Sequence, residues 1–228
     1  SVPTLCQNLS FETTAELDSL EARLKYSNSD TALNESLVEL AFFKEKFIQH
    51  LTAKENKKAF DLGFRLAKVQ LNYNLDSTLV WFYHCLDLAT IMNNPLLISK
   101  TLVNIGFYEF NAQNFKKAEK IAIQADSVLK KHPNEALFLR NLYQLAEAYE
   151  YNDNPKGAME KYSECYQLAE QRNDLKFLTK VDVKLGNINR VNEDFEKASL
   201  YFEKALSRLD KSKHSKLYTI VMANMADN

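Results

Sequence analysis

The strongest constraint on this chain is that residues 114–210 state nearly the same pattern three times. Asn114-Phe115-Lys116-Lys117-Ala118 recurs as Asn154-Pro155-Lys156-Gly157-Ala158 and as Asp194-Phe195-Glu196-Lys197-Ala198, so the three alanines fall 40 residues apart. Seven positions after each alanine stands another small residue: Ala125, Cys165 and Ala205. Twelve positions before each stands a third: Gly106, Ala146 and Gly186. Self-similarity at a period of roughly 20–50 residues marks a repeat array. Two helices approach closely only where a small side chain lies between their axes. Gly106, Ala146 and Gly186 are therefore expected on the first helix of each pair, facing Ala118, Ala158 and Ala198 on the second. Ala125, Cys165 and Ala205 would meet the next pair. Ile105, Leu145, Leu185, Phe115, Phe195, Tyr162 and Phe202 are expected to fill the remaining gaps.

Composition agrees with helices joined by short turns. The 228 residues are enough for a large core or for an array of about five helix pairs. Only four glycines and four prolines are present, whereas a sheet protein would need more turn glycines. Lys+Arg 29 against Asp+Glu 30 leaves a net charge of −1, a poor match to the basic footprint of a nucleic-acid binder, so no direct nucleic-acid partner is expected. The Lys-Lys doublets at 57–58, 116–117 and 130–131 read as solvated helix faces. Cys6, Cys85 and Cys165 are too few and too scattered for a disulfide framework. Cys165 stands where its repeat counterparts are alanines, which suits a small buried residue. No apolar run reaches the ~18 residues of a membrane span, so any membrane attachment would come through regions outside this chain. Ser1–Asn8 does not look like a helix start; it is either the tail of an export signal or an ordinary disordered terminus.

Along the chain, Leu17, Leu20 and Leu24 give a short amphipathic helix over Glu16–Tyr26. Asp30 or Thr31 can cap a second helix running to about Leu51, with Leu33, Leu37, Leu40, Ala41, Lys44, Phe47 and Ile48 on one face. Ala59, Leu62, Gly63, Leu66, Ala67 and Val69 mark a third. Asp76 or Ser77 is expected to cap a fourth, and Asn93-Asn94-Pro95 stops it. Helices then cover 96–112, 115–131, 135–152, 155–172, 175–192 and 195–210, and a last one begins near Ser215. Gln113, Asp153 and Glu193 occupy turn positions that favour a left-handed residue, usually glycine, so these turns are expected to be slightly rewound. The organisation expected is a flexible segment 1–14, degenerate repeats over 15–95 and regular repeats over 96–228 with the last incomplete, all in one solenoid. Upstream the register is open. Thr78 and Cys85 lie 40 before Ala118 and Ala125 and would pair helices 55–72 and 75–93, whereas Ala41 and Ala59 would pair 30–51 with 55–72.

The alternation of small and large residues over about 96–210 resembles the tetratricopeptide repeat, stretched from 34 residues to 40. The resemblance implies an all-α fold: a right-handed superhelix (α-solenoid) of antiparallel helix pairs. One departure is that the usual first-helix aromatic, present as Tyr149, is replaced by Glu109 and Asn189 in the equivalent positions. In that family the first helices line a concave groove. Counting from Gly106, Ala146 and Gly186, the resemblance maps groove positions to Lys100, Val103, Phe107 and Phe110, to Arg140, Tyr143, Glu147 and Glu150, and to Lys180, Val183, Asn187 and Arg190. It implies a protein or peptide partner in the groove, with Lys100, Arg140 and Lys180 forming a cationic edge for an acidic or carboxylate-bearing segment. The lysines that related repeats use to clamp a terminal carboxylate are replaced by Val103, Tyr143 and Val183. The bland alternative is that all these are solvated helix positions.

Leu17-Asp18-Ser19-Leu20-Glu21-Ala22-Arg23-Leu24 followed by Asp30-Thr31-Ala32-Leu33 looks like the opening of repeat-containing sensor regions in bacterial membrane histidine kinases, chiefly of the Bacteroidetes. That implies an extracytoplasmic sensing module of a longer signalling protein; the alternative is a cytoplasmic adaptor or regulator of a fused enzyme or DNA-binding domain. No catalytic group, metal site or cofactor site is readable. His50, His84, His132 and His214 are far apart, no Cys-x₂-Cys exists, and no Gly-rich phosphate loop can be built from glycines at 63, 106, 157 and 186. His84, amid Trp81, Phe82, Tyr83 and Leu86, reads as a partly buried histidine. The aromatics Trp81, Phe82, Tyr83, Phe107, Tyr108 and Phe110 are either core or a recognition surface. Leu217, Ile220, Val221, Met222 and Met225 make the last helix too apolar for a solvated cap. The expectation is therefore that the chain is a fragment, its end covered by further repeats or by homodimerisation through this helix.

Overall fold

The computed structural model describes residues 30–70, 75–209 and 215–226, and every regular element among them is an α-helix. In chain order these are α1 (Asp30–Thr52), α2 (Asn56–Gln70), α3 (Leu75–Ile91), α4 (Pro95–Asn111), α5 (Phe115–Lys131), α6 (Glu135–Tyr151), α7 (Pro155–Gln171), α8 (Leu175–Val191), α9 (Phe195–Ser207) and α10 (Ser215–Ala226). The expected helix at Glu16–Tyr26, the 1–14 segment and Cys6 lie outside the described residues. The chain forms two compact units, one running to Ala112 and the other starting at Gln113. Within each unit every helix packs against its neighbours in sequence, as in a solenoid.

Helices α4 to α8 are each 17 residues long, and three-residue turns separate them. The turns set this beat. Asn93, Gln113, Asp153, Asn173 and Glu193 all have positive φ, between 47° and 63°. The expected rewinding at Gln113, Asp153 and Glu193 does not occur. The left-handed residue is kept without glycine, because the turn's hydrogen bonds require it. Asn173 N–H donates to Glu170 O at 3.0 Å and Asp174 N–H to Ala169 O at 2.8 Å, which satisfies carbonyls that the helix end would leave orphaned. The next residue then caps the following helix: Asp174 Oδ1 accepts from Phe177 N–H at 3.1 Å, Asn154 Oδ1 from Gly157 N–H at 3.0 Å and Asn94 Oδ1 from Leu97 N–H at 3.1 Å. One short side chain thus ends one helix through its backbone and starts the next through its oxygen. Pro133 falls on the same beat and cannot take positive φ. There α5 ends instead at His132, with φ −131° and ψ 80°, while Asn134 still caps α6.

The repeated small residues are core. Ala118, Ala158, Ala198, Ala125, Cys165, Ala205, Gly106, Ala146 and Gly186 are all buried. Gly186 meets a ring: a Cβ there would lie 2.5 Å from Cε1 of Phe202, itself fully buried. Around Ala146, Ala158 and Cys165 one cluster gathers Leu139 and Leu142 from α6, Tyr162 and Ala169 from α7, and Leu178, Val181 and Leu185 from α8. A second joins Ala198, Phe202 and Ala205 of α9 to Val221 of α10. Ile105, Leu145, Leu185, Tyr162 and Phe202 fill gaps as expected, but Phe195 is exposed and Phe115 half-buried.

The first unit settles the open register. Thr78 and Cys85 are fully buried, and Cys85 Sγ donates to Phe60 O at 3.6 Å. In the second unit Cys165 Sγ donates to Leu139 O at the same distance. So α2 pairs with α3 as α6 pairs with α7. Burial pushes both thiols up to about 12, so neither is a reactive thiolate. The buried stripe of α1 is Leu40, Phe43, Phe47 and His50; Ala41, Lys44 and Ile48, expected on that face, are exposed. The run Leu40-Ala41-Phe42-Phe43 admits two stripes one residue apart, and the larger rings win the core. Asp76 and Ser77 lie inside α3 rather than capping it. The aromatic cluster is divided: Phe82 and Tyr108 are core, with Phe82 stacked on Tyr108 at 5.3 Å and meeting Phe64 edge-on at 5.1 Å, whereas Trp81, Tyr83 and Phe110 are half-buried and Phe107 is exposed. His84 is exposed rather than partly buried.

A left-handed non-glycine residue is strained by roughly 1–2 kcal/mol. Glu193→Gly should therefore raise stability by about 1 kcal/mol in urea titrations; a lowered midpoint would mean that the Glu193 side chain contributes more than its backbone costs. Ala158→Leu should overpack the α6–α7 contact and lower stability by about 1–3 kcal/mol. An unchanged midpoint would remove Ala158 from the core.

Candidate binding face on the first helices

In the second unit α6 and α8 open successive helix pairs, and α10 opens the next. Their sequence equivalents lie 40 apart, but the side chains that meet do not. Lys180 Nζ lies 5.4 Å from the ring centre of Tyr143, Lys184 Nζ lies 3.4 Å from Glu147 Oε1, and Asn224 Nδ2 donates to Asn187 Oδ1 at 2.9 Å. Each pair is 37 residues apart, so contacts between first helices step back by about one helical turn per repeat.

The centre of this face is Lys184, which the groove mapping passed over. Its Nζ also lies 3.1 Å from Glu150 Oε2, so two carboxylates share one ammonium. Tyr162 OH, from α7 behind the face, donates to Glu150 Oε2 at 2.8 Å. Burial penalises the charge on Lys184, but Glu147 and Glu150 outweigh it and hold the ammonium above its ordinary range. Burial raises the Glu147 carboxyl, against the pull of Lys184. Burial, and then the charge of Glu147, pushes up the Tyr143 phenol, which makes it a donor rather than a base. The signal for Lys184 was present in the sequence. Two residues before each small residue stand Asn104, Gln144 and Lys184, a polar group at the same position of each repeat.

Most of the mapped positions in the second unit share this face. Lys180 lies between the rings of Tyr143 and Phe177, 5.5 Å from the latter, and burial lowers its pKa. Tyr143 also meets Tyr162 and Phe177 edge-on. Arg140, Val183, Asn187 and Arg190 are half-buried, and Arg190 Nε is buried without a hydrogen-bond partner. In the first unit Lys100 is exposed and lies 4.5 Å from the ring centre of Phe64. Phe107 is exposed and Phe110 half-buried. Val103 is a correction: it is fully buried and presents no surface to a ligand, because its apolar side chain packs into the core. The replaced aromatic positions are satisfied otherwise: Glu109 accepts from Tyr83 OH at 2.8 Å, and Asn189 donates to Leu185 O at 2.7 Å. No group of three metal-ligating side chains occurs among the described residues, and no described helix is long and apolar enough to cross a membrane.

This is the tetratricopeptide-type repeat fold, all-α and built of antiparallel helix pairs. No model of a protein family matches the sequence, and no curated protein matches it. Among solved structures the chain is similar to BtubC (BKLC) from P. vanneervenii, with a TM-score of 0.71 at 14% identity over 87% of this chain and 83% of that one. It is similar to the STAND protein PH0952 from Pyrococcus horikoshii, a signal transduction ATPase with a tetratricopeptide repeat sensor, with a TM-score of 0.66 at 16% identity over 94% of this chain and 37% of that one. It is also similar to the kinesin light chain TPR-like repeats of Podosopora anserina, with a TM-score of 0.64 at 11% identity over 89% of this chain and 97% of that one. At these identities the likeness establishes the fold alone.

Lys184→Met would leave Glu147 and Glu150 facing each other, a loss of about 1–3 kcal/mol at neutral pH. The folded-state pKa of Glu147 is already raised and would rise further without Lys184. Protonation on acidification then favours the folded variant, so its deficit should shrink as pH falls through the carboxylate range. Urea midpoints at several pH values test this; a pH-independent deficit would show that Glu147 does not depend on Lys184.

Proposed function

We propose that this chain is a non-enzymatic protein- or peptide-binding scaffold whose ligand lies across the first-helix face. One observation carries the reading. In α8 the positions Lys180, Val183, Lys184, Asn187 and Arg190 are half-buried, whereas the outward positions of α7, among them Lys156, Glu160, Ser163, Glu164 and Gln167, are exposed. Polar groups crowded and partly desolvated on one side of an array suit recognition better than solubility. Arg140, Lys180 and Arg190 supply cationic character, and Asn187 and Asn224 supply amides for a peptide backbone. The partner is then an extended segment with acidic or carboxylate character. The tetratricopeptide sensor of the STAND protein supports placing this scaffold as the sensing or interaction part of a longer signalling protein. A cytoplasmic adaptor is the alternative.

The test is a panel of fluorescent acidic peptides titrated against native protein and the Arg140→Glu/Lys180→Glu/Arg190→Glu variant. Binding that falls by about tenfold or more, with an unchanged helical circular dichroism spectrum, supports the face. Equal binding to both proteins refutes it.

A further inference from the structure

We propose a second docking surface on the turn edge of the second unit, centred on the stacked rings of Phe115 and Tyr151 and fitted to an acidic protein segment carrying an aromatic residue. The inference is independent of the first-helix face. The rings of Phe115, at the start of α5, and Tyr151, at the end of α6, stack with centroids 4.6 Å apart and an interplanar angle of 29°. Tyr151 is 54% exposed, so half of a large apolar ring stands in water beside its partner. Gln113, Asn114, Lys116, Lys117 and Asn152 join these rings around an open depression. Lys116, Lys117 and Lys120 are all exposed. The acidic neighbour Glu119 is engaged, because Asn152 Nδ2 donates to its Oε2 at 2.6 Å. That bond also ties the turn to α5 and holds the rim in place, which lowers the ordering cost of docking.

The chain contains its own control. The scaffold needs the same residues at every repeat, so Ala118, Ala158 and Ala198 agree. It does not need this patch. Where α5 has Phe115, Lys116, Lys117 and Lys120, α7 has Pro155, Lys156, Gly157 and Glu160, and α9 has Phe195, Glu196, Lys197 and Leu200. Among these three helix starts, stacked rings and a lysine triad coincide at α5, against an overall charge of −1. The charge complement is a cluster of carboxylates, and the apolar complement is a ring that extends the stack. Nucleic acid fits less well. Three lysines within little more than one helical turn neutralise about two or three phosphates, too few for tight binding.

The probe is a fluorescein-labelled peptide of sequence Asp-Glu-Phe-Glu-Asp, read by anisotropy at low salt, beside a labelled ten-nucleotide oligothymidylate. Saturable peptide binding should weaken about tenfold in Lys116→Glu/Lys120→Glu and in Tyr151→Ala. It should persist in Lys131→Glu/Lys156→Glu, which makes the same charge change elsewhere, and in the first-helix-face triple variant. No saturable peptide binding up to about 1 mM, an equal loss in both charge variants, or preferential binding of the oligonucleotide would overturn the proposal. Loss in the triple variant alone would assign the peptide to the first-helix face and equally overturn it.

Discussion

The array depends on a turn in which two adjacent residues do three jobs. At four turns a residue with positive φ reverses the chain, and Asn94, Asn154, Asp174 or Asp194 after it closes the old helix with its N–H and opens the new one with its side-chain oxygen, whereas Asn114 starts α5 without a side-chain capping bond. Because both ends of the turn are fixed by hydrogen bonds, its length is fixed at three residues and the helices between turns at 17. The 20-residue beat follows, and with it the recurrence of small residues at helix crossings. Pro133 shows which part is essential. The left-handed residue is lost there, yet Asn134 keeps the cap and α6 starts on the beat.

That dependence explains what the sequence made legible. The positions of Ala118, Ala158 and Ala198 could be read because a helix crossing tolerates few residue types. Helix ends from α4 onward fell within a residue or so of their expected places, α9 excepted, because Asn, Asp and Pro announce caps. The α1 face was misassigned because Ala41 and Phe43 both continue a plausible stripe, and only packing against α2 distinguishes them. Exposure of Phe195 was equally invisible, since the same position in α5 places Phe115 half-buried against Tyr151 and spacing alone does not separate the two.

The first-helix face was only half legible. Offsets taken from the small residues found Tyr143, Glu147, Glu150, Lys180, Asn187 and Arg190, since a helix face follows from spacing alone. They missed Lys184, because its significance lies in a contact between repeats. They included Val103, because spacing cannot tell a position that faces a neighbouring helix from one that faces solvent. The side chains of the ion cluster Glu147, Lys184 and Glu150 are largely shielded from water, where attraction between the charges is offset by the cost of desolvating them.

The offset of 37 residues between touching side chains has a consequence for how such a face carries information. A segment lying across the helices does not meet equivalent residues of successive repeats. It crosses them on a slant, passing from Glu150 to Asn187 to Asn224 rather than along one row of the repeat. Neighbours on that slant also support one another, as Asn187 and Asn224 do. If the face binds as proposed, selectivity is written in linked pairs, and a substitution at one repeat changes what the next repeat can present.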